Sequence, residues 1–191
     1  MRKGKVERRT KETLISVTVN LDGSGKSVVN TGFTFFNHMI TSLSTHSLID
    51  IQLQAKGDLK HHLVEDVAIC LGEALNKALG SRKGIVRFGF SIVPMDCSLA
   101  IAGLDLVKRP FYALNLKLRT KKIEDMMTED ILHFLQTFSN SIQANVHIMV
   151  QYGSNDHHKI EAAFKALALS LRKAISLDMK RRNFPSSKGV M

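Results

Sequence analysis

From Glu12 to Leu21 apolar and polar positions trade places, with Leu14, Val17 and Val19 set among Ser16 and Thr18. Alternation of this kind marks a strand with one buried face. Asp22-Gly23-Ser24-Gly25 turns the chain into a second strand through Val28, Val29 and Phe33. The period then changes: from Phe36 to His46, Met39, Ile40 and Leu43 fall on one side of a helix. Ile49 to Ala55 alternates again and closes at Gly57-Asp58. A long helix then runs from about His62 to Leu79 and stops at Gly80, a residue suited to a C-cap. The first half therefore reads β-β-α-β-α.

Beyond Gly84 the order returns. Ile85 to Val93, Ser98 to Leu106 and Phe111 to Leu118 read as strands, and Lys121 to Thr128 as a polar loop. Glu129 to Ala144 is helical, with Ile131, Leu132, Leu135 and Phe138 as its apolar stripe. Asn145 to Tyr152 is a strand, and Asp156 to about Leu177 is a last long helix. Met179 to Met191 is a basic tail without periodicity. No linker rich in Pro or Gly divides the halves, so 1–90 and 91–191 are expected to share one interface and fold as a unit.

The 191 residues suffice for one domain with an ample core, and 44% hydrophobic with 23% charged residues is ordinary for a globular chain. No apolar run is long enough to span a bilayer. The basic start has no signal-peptide core and reads as a mature N-terminus. Only Cys70 and Cys97 are present, too few for a disulfide framework, so a cytoplasmic location is expected. The net charge of +10 suits either a nucleic acid or a small anionic substrate. Without Trp and with only two Tyr, the base-stacking pattern of a nucleic-acid binder is missing.

The histidines change the picture. His61-His62-Leu63-Val64-Glu65 returns as His157-His158-Lys159-Ile160-Glu161, an offset of 157 − 61 = 96 positions. His38 precedes the first pair by 61 − 38 = 23 positions, and His133 precedes the second by 157 − 133 = 24. This is a duplicated half-domain, each copy bearing a histidine-rich metal half-site. Residues four apart on a helix share a face, whereas adjacent ones diverge by about 100°. His61 can thus join Glu65 at one metal while His62 points toward another metal or a neighbouring chain, and the same holds for His157, Glu161 and His158. Imidazole with carboxylate suits Mn, Fe, Co, Ni or Zn. The bland reading of either motif alone is a solvated helix start, and its repetition at half-chain spacing argues against that.

Further motifs give the chain a family resemblance. They are Arg9-Thr10-Lys11-Glu12-Thr13, Thr31-Gly32-Phe33, His38-Met39 with His46, Gly57-Asp58 before the first histidine pair, Pro94-Met95-Asp96, Arg109-Pro110, Asn155-Asp156 before the second, Phe164-Lys165-Ala166 and Ser186-Ser187-Lys188-Gly189. In this order, over nearly the whole chain, they resemble imidazoleglycerol-phosphate dehydratase, a hydro-lyase of histidine biosynthesis. The resemblance implies an α+β fold of duplicated β-β-α-β-α half-domains, each a four-stranded sheet with helices on one face, packed through the helices. It implies two Mn²⁺ ions per active site, on ligands matching His38, His61, His62, Glu65, His133, His157, His158 and Glu161. Substrate contacts match Glu12, His38, His46, His61, Glu65, Arg87, Arg109, His157, Lys165, Ser187 and Lys188. It also implies a homo-oligomer of 24 subunits with active sites between chains.

The reaction removes the hydroxyl beside the imidazole ring and a proton from the next carbon, which no carbonyl activates. Metals on both ring nitrogens favour an imidazolate, whose electrons expel the hydroxyl. Glu12, a non-ligand glutamate, is expected to be the base, with His61, Glu65, His157 and Glu161 completing the catalytic set. Two arginines and two lysines suit a phosphate dianion, although each alone would pass as a solvated charge.

The chain departs from the family at Leu59-Lys60, Cys97, Val107-Lys108, Leu132 and Asn37, positions around the ligands whose loss can cost about 10–100-fold. Two other readings stay open: a two-metal phosphate-ester hydrolase, and a basic nucleic-acid-binding protein with a structural metal cluster.

Overall fold

A computed structural model describes residues 1–190. The first half comprises β1 (Lys3–Arg9), β2 (Thr13–Asn20), β3 (Ser27–Asn30), α1 (Thr34–Ser47), β4 (Asp50–Gly57) and α2 (Lys60–Leu79). The second comprises β5 (Phe88–Met95), β6 (Ser98–Asp105), β7 (Phe111–Asn115), the two-residue strands β8 (Lys122–Ile123) and β9 (Met126–Met127), α3 (Thr128–Ser141), β10 (Asn145–Tyr152) and α4 (Asp156–Ile175). The large sheets have matching orders, β1-β2-β4-β3 and β5-β6-β10-β7. In each, two antiparallel pairings are followed by a parallel one, β3 with β4 and β7 with β10. The fold class is the α+β duplication expected from the sequence.

Each half carries one strand more than β-β-α-β-α, and in the first half that strand is β1. Its sequence hides it, because only Gly4 and Val6 face inward and its other five positions are exposed. Gly4 is there for contact: a Cβ would collide with the Ala74 carbonyl oxygen on α2. Gly89 on β5 stands in the same relation to Ser170 on α4, again 96 positions beyond Ala74. Both long helices lie flush on the first strand of their sheet through a missing side chain. The second sheet begins at Phe88, so a division at 90/91 falls inside β5.

The polar stretch 121–128 is a small hairpin, with Lys122 opposite Met127 and Ile123 opposite Met126. Its buried Ile123 and Met126 join the core. The Asp125 carboxylate at its tip accepts from the backbone N–H groups of Thr34 (2.6 Å) and Phe35 (3.1 Å). It therefore caps α1 from the other half of the chain, at a helix whose own N-cap residue, Phe33, supplies no side-chain bond. Gly80 closes α2 as expected, its N–H reaching the Asn76 and Lys77 carbonyls.

The halves pack crosswise, α2 against α3 and α4 against α1, each helix keeping its own sheet on its other side. Phe36 of α1 meets Phe134 of α3 edge to face at 5.2 Å, and Phe134 stacks on Phe138 and Phe164. One hydrophobic cluster contains residues of all four helices and both sheets. The arrangement is that of a dyad relating one half to the other. No helix among the described residues is long and apolar enough to cross a membrane.

Candidate metal centre

Helix crossing decides which ligands meet. His157 and Glu161, one turn apart on α4, are joined by His38 of α1. His61 and Glu65 on α2 are joined by His133 of α3. Within each trio the ligand atoms lie within 4.8 Å of one another. The upstream histidine therefore completes the group of the opposite half, not its own. Sequence spacing had paired His38 with His61 and His133 with His157, because it cannot see that α1 lies against α4.

In the first trio, His157 Nε2 stands 3.5 Å and His38 Nε2 3.7 Å from the Glu161 carboxylate. Lys165 Nζ also reaches Glu161, at 2.8 Å. Burial works against the Glu161 charge, yet Lys165, His38 and His157 hold its carboxyl below the usual range. In the second trio, His133 Nε2 lies 3.6 Å from Glu65 Oε1, and the His61 and His133 rings stack at 4.8 Å. Among the described residues no lysine pairs with Glu65, and Ile69 stands where α4 has Lys165.

The outer partners fix ring orientation. His61 Nδ1 meets Asp130 at 3.0 Å and His157 Nδ1 meets Glu124 at 3.1 Å, leaving each Nε2 for the trio. Asp130 had a sequence signal, three positions before His133 on one helix. Glu124 had none, since it sits at the tip of the unforeseen hairpin with a φ of 52°. Asn37 is an acceptor beside His38: its Oδ1 takes the Thr31 N–H at 2.9 Å and the Thr31 hydroxyl at 2.8 Å.

His62 and His158 lie outside both trios. His62 Nδ1 is 3.0 Å from Asp58 and 3.8 Å from Glu12, and the Asp58 hydrogen bond raises the affinity of its ring for a proton. His158 sits between Asp96 and Cys97. Cys97 is in the β5–β6 turn, as Glu12 is in the β1–β2 turn, each just before the first residue of the following strand. Hydrogen bonds from Ser154, then Ser98 and His158, with the Asn155 N–H, pull the Cys97 thiol down to about 5.

The other predicted contacts divide by distance. His46, in the last turn of α1, lies near Lys165 and Glu161; burial and then the Lys165 charge lower its proton affinity. Arg87 is held bidentately by Asp105 (2.6 and 3.0 Å) and donates to the Pro185 carbonyl at 2.7 Å. It thereby anchors the segment carrying Ser187 and Lys188. Arg87 also bonds through its backbone to Ala174 at the C-terminal end of α4. A 20-residue helix is about 30 Å long, so Arg87, Ser187 and Lys188 are remote from His157 at its start. Arg109 is exposed beyond the Asp105 end of β6, also away from the trios.

The donor chemistry fits divalent cations. The His133 Nε2 is buried and has no hydrogen-bond partner among the described residues, a costly state for a polar atom that a cation on its lone pair relieves. Ligand atoms around an ion at about 2.0–2.2 Å stand roughly 3–3.5 Å apart, slightly less than the 3.5, 3.7 and 3.6 Å from His157, His38 and His133 to their glutamates.

Fold and centre define a duplicated α+β protein with two His-His-Glu groups of metal-ligand type shared between its halves. The family model described as imidazoleglycerol-phosphate dehydratase matches residues 31–171. Proteins of that name from Dehalococcoides mccartyi and Methanothermobacter thermautotrophicus are 49% and 46% identical to this chain. Each match covers all of this chain, with 97% and 98% of the relative. Crystal structures of the enzyme from Staphylococcus aureus and Pyrococcus furiosus superpose with TM-scores of 0.85 and 0.84 at 31% and 33% identity. They cover 92% and 97% of this chain and 99% and 100% of theirs. The chain belongs to the imidazoleglycerol-phosphate dehydratase family, which leaves the hydrolase and nucleic-acid readings without support.

Proposed function

We propose that this chain is a hydro-lyase converting imidazoleglycerol phosphate to imidazole-acetol phosphate and water in histidine biosynthesis, in the cytoplasm, with two Mn²⁺ ions per active site. The observation that carries the metal reading is the pair of crossed trios, with the partnerless His133 Nε2 among them. His38, His157 and Glu161 would hold one ion, and His61, Glu65 and His133 the other. When bound, the ions supply Lewis acidity toward the two nitrogens of the substrate ring.

The protein's own residues do the rest. Glu12 takes the proton from the carbon next to the one losing hydroxide, and the resulting enol ketonises. Lys165, 2.8 Å from Glu161, would be released toward the substrate were that carboxylate to hold an ion. Arg109, Lys188 and the segment anchored by Arg87 bind the phosphate.

A homo-oligomer, of 24 subunits as the family resemblance implies, brings these parts together. Its supports are that three ligands per trio leave coordination positions open, and that His62 and His158 lie outside both trios. Arg87, with Ser187 and Lys188 in the segment it anchors, also lies about a helix length from His157. The outer face of the second sheet adds a further support: Phe88, Phe90 and Ile92 with Phe111 and Met149 are exposed there. The matching face of the first sheet is more polar, with Lys3, Lys5, Glu7, Gln52, Gln54 and Lys56 beside the exposed Leu14 and Val28.

The test is turnover by metal-stripped protein as Mn²⁺ is returned. Activity rising with bound Mn²⁺, and yielding one imidazole-acetol phosphate per substrate consumed, is expected. A protein saturated with two ions per chain that forms no product overturns the proposal.

A further inference from the structure

The four tandem histidines share one feature that the reaction does not by itself explain. His61, His62 and His157 each direct Nδ1 at a carboxylate: Asp130 at 3.0 Å, Asp58 at 3.0 Å and Glu124 at 3.1 Å. A carboxylate there accepts the ring N–H, fixes the tautomer and leaves Nε2 with its lone pair for an ion. Among the described residues, His158 has no carboxylate on that nitrogen. Its Nδ1 lies 3.5 Å from the Sγ of Cys97 instead.

The sulfur is built to accept. The Asn155 backbone N–H reaches it at 3.4 Å and the Ser98 hydroxyl lies 3.6 Å away, so donors converge on Sγ alongside the imidazole. Asn155 also caps α4, its side chain accepting from the His157 and His158 amides. The sulfur is thereby tied to the helix start that aims both histidines. Asp96 occupies the other side of the ring, 3.3 Å from Nε2, the nitrogen that would hold an ion.

We infer that Cys97 is a positioning residue that orients His158 for metal binding, the sulfur counterpart of Asp130, Asp58 and Glu124. The inference rests on the metal reading above. Cys97 is not itself a ligand, because its sulfur is on the Nδ1 side of the ring and the ion binds at Nε2.

The test uses the full-length protein and free Mn²⁺, followed by its paramagnetic resonance signal, in native protein, Cys97→Ala, Cys97→Ser and Cys97→Glu. Cys97→Ala is expected to weaken Mn²⁺ binding by about 10–100-fold. Cys97→Ser, whose shorter reach draws the acceptor back from Nδ1, gives a smaller loss, and Cys97→Glu restores native affinity. Cobalt-loaded native protein is expected to lack a thiolate-to-cobalt charge-transfer band.

Native affinity in Cys97→Ala overturns the inference. So does a charge-transfer band, which would make the sulfur a direct ligand. If Cys97→Ala does not fold, Cys97→Ser decides in the same way: unaltered affinity with Nδ1 out of reach overturns the role. Native protein that binds no Mn²⁺ brings down the metal reading itself, an outcome distinct from native binding that Cys97 does not influence.

Discussion

Individual side chains carry the most direct tests. His133 supplies a buried nitrogen that no other group among the described residues satisfies, so His133→Ala is expected to reduce bound Mn²⁺ from two ions per chain to one, read by metal analysis after gel filtration. Glu12 touches neither trio. Glu12→Gln is expected to keep metal and substrate affinity while lowering kcat by roughly 10²–10⁴-fold, the usual worth of a general base. Unchanged kcat would remove Glu12 from that role. The acid side of stability turns on Asp156. Burial raises its carboxyl, but the Lys159 ammonium, the Arg119 and Thr120 amides and the Thr120 hydroxyl more than reverse this, to about 2. A carboxyl depressed on folding stabilises above its unfolded value near 3.8 and ceases to do so as pH falls toward 2. The metal-free protein is expected to lose on the order of 2 kcal/mol from this group across that window. In Lys159→Met the loss moves to higher pH, as urea denaturation across the range will show.

Among secondary-structure elements, the hairpin β8–β9 has the widest reach. Its Asp125 caps α1 and its Glu124 orients His157, so one short excursion from the second half organises ligands on both sides of the first trio. Asp125→Ala is expected to cost about 1 kcal/mol in stability, the usual worth of an N-cap, and to weaken metal binding through His38. The hairpin and β1 are also where the sequence was least readable. Helices α1 to α4 announced themselves by apolar periodicity, Gly80 announced a cap, and the repeated HHxxE placed four ligands at helix starts. Strand β1 has one apolar side chain facing inward, and β8 and β9 are two residues each, so neither generates a period. Their positions are set by contacts with distant residues: Gly4 with Ala74, Asp125 with Thr34. The pairing of His38 with Glu161 was hidden for the same reason, because local pattern carries no information about which helices cross.

For the molecule as a whole, metal binding and folding are one equilibrium. Each trio takes ligands from both halves, so an ion bound there ties the halves together and stabilises by mass action, about 2.7 kcal/mol at a hundred times its Kd. Saturating Mn²⁺ is expected to raise the melting temperature of the native chain. It should do so less in His38→Ala, where one trio is left with ligands from a single helix. The proposed assembly adds a second expectation. Particles measured by light scattering should be larger with Mn²⁺ than after chelation, whereas equal sizes would show that the ions play no part in holding subunits together. The crossed packing of the helices has a further consequence, for ancestry. Two separate copies of a single half, related by the same dyad, would already present both centres complete, each drawing a histidine from one copy and an HxxxE pair from the other. The centre therefore depends on how the helices cross and not on the covalent link between the halves. Fusing the halves released them from identity: a lysine could settle beside Glu161 with an isoleucine at its counterpart, and a thiol could take the place in one turn that a glutamate holds in the other.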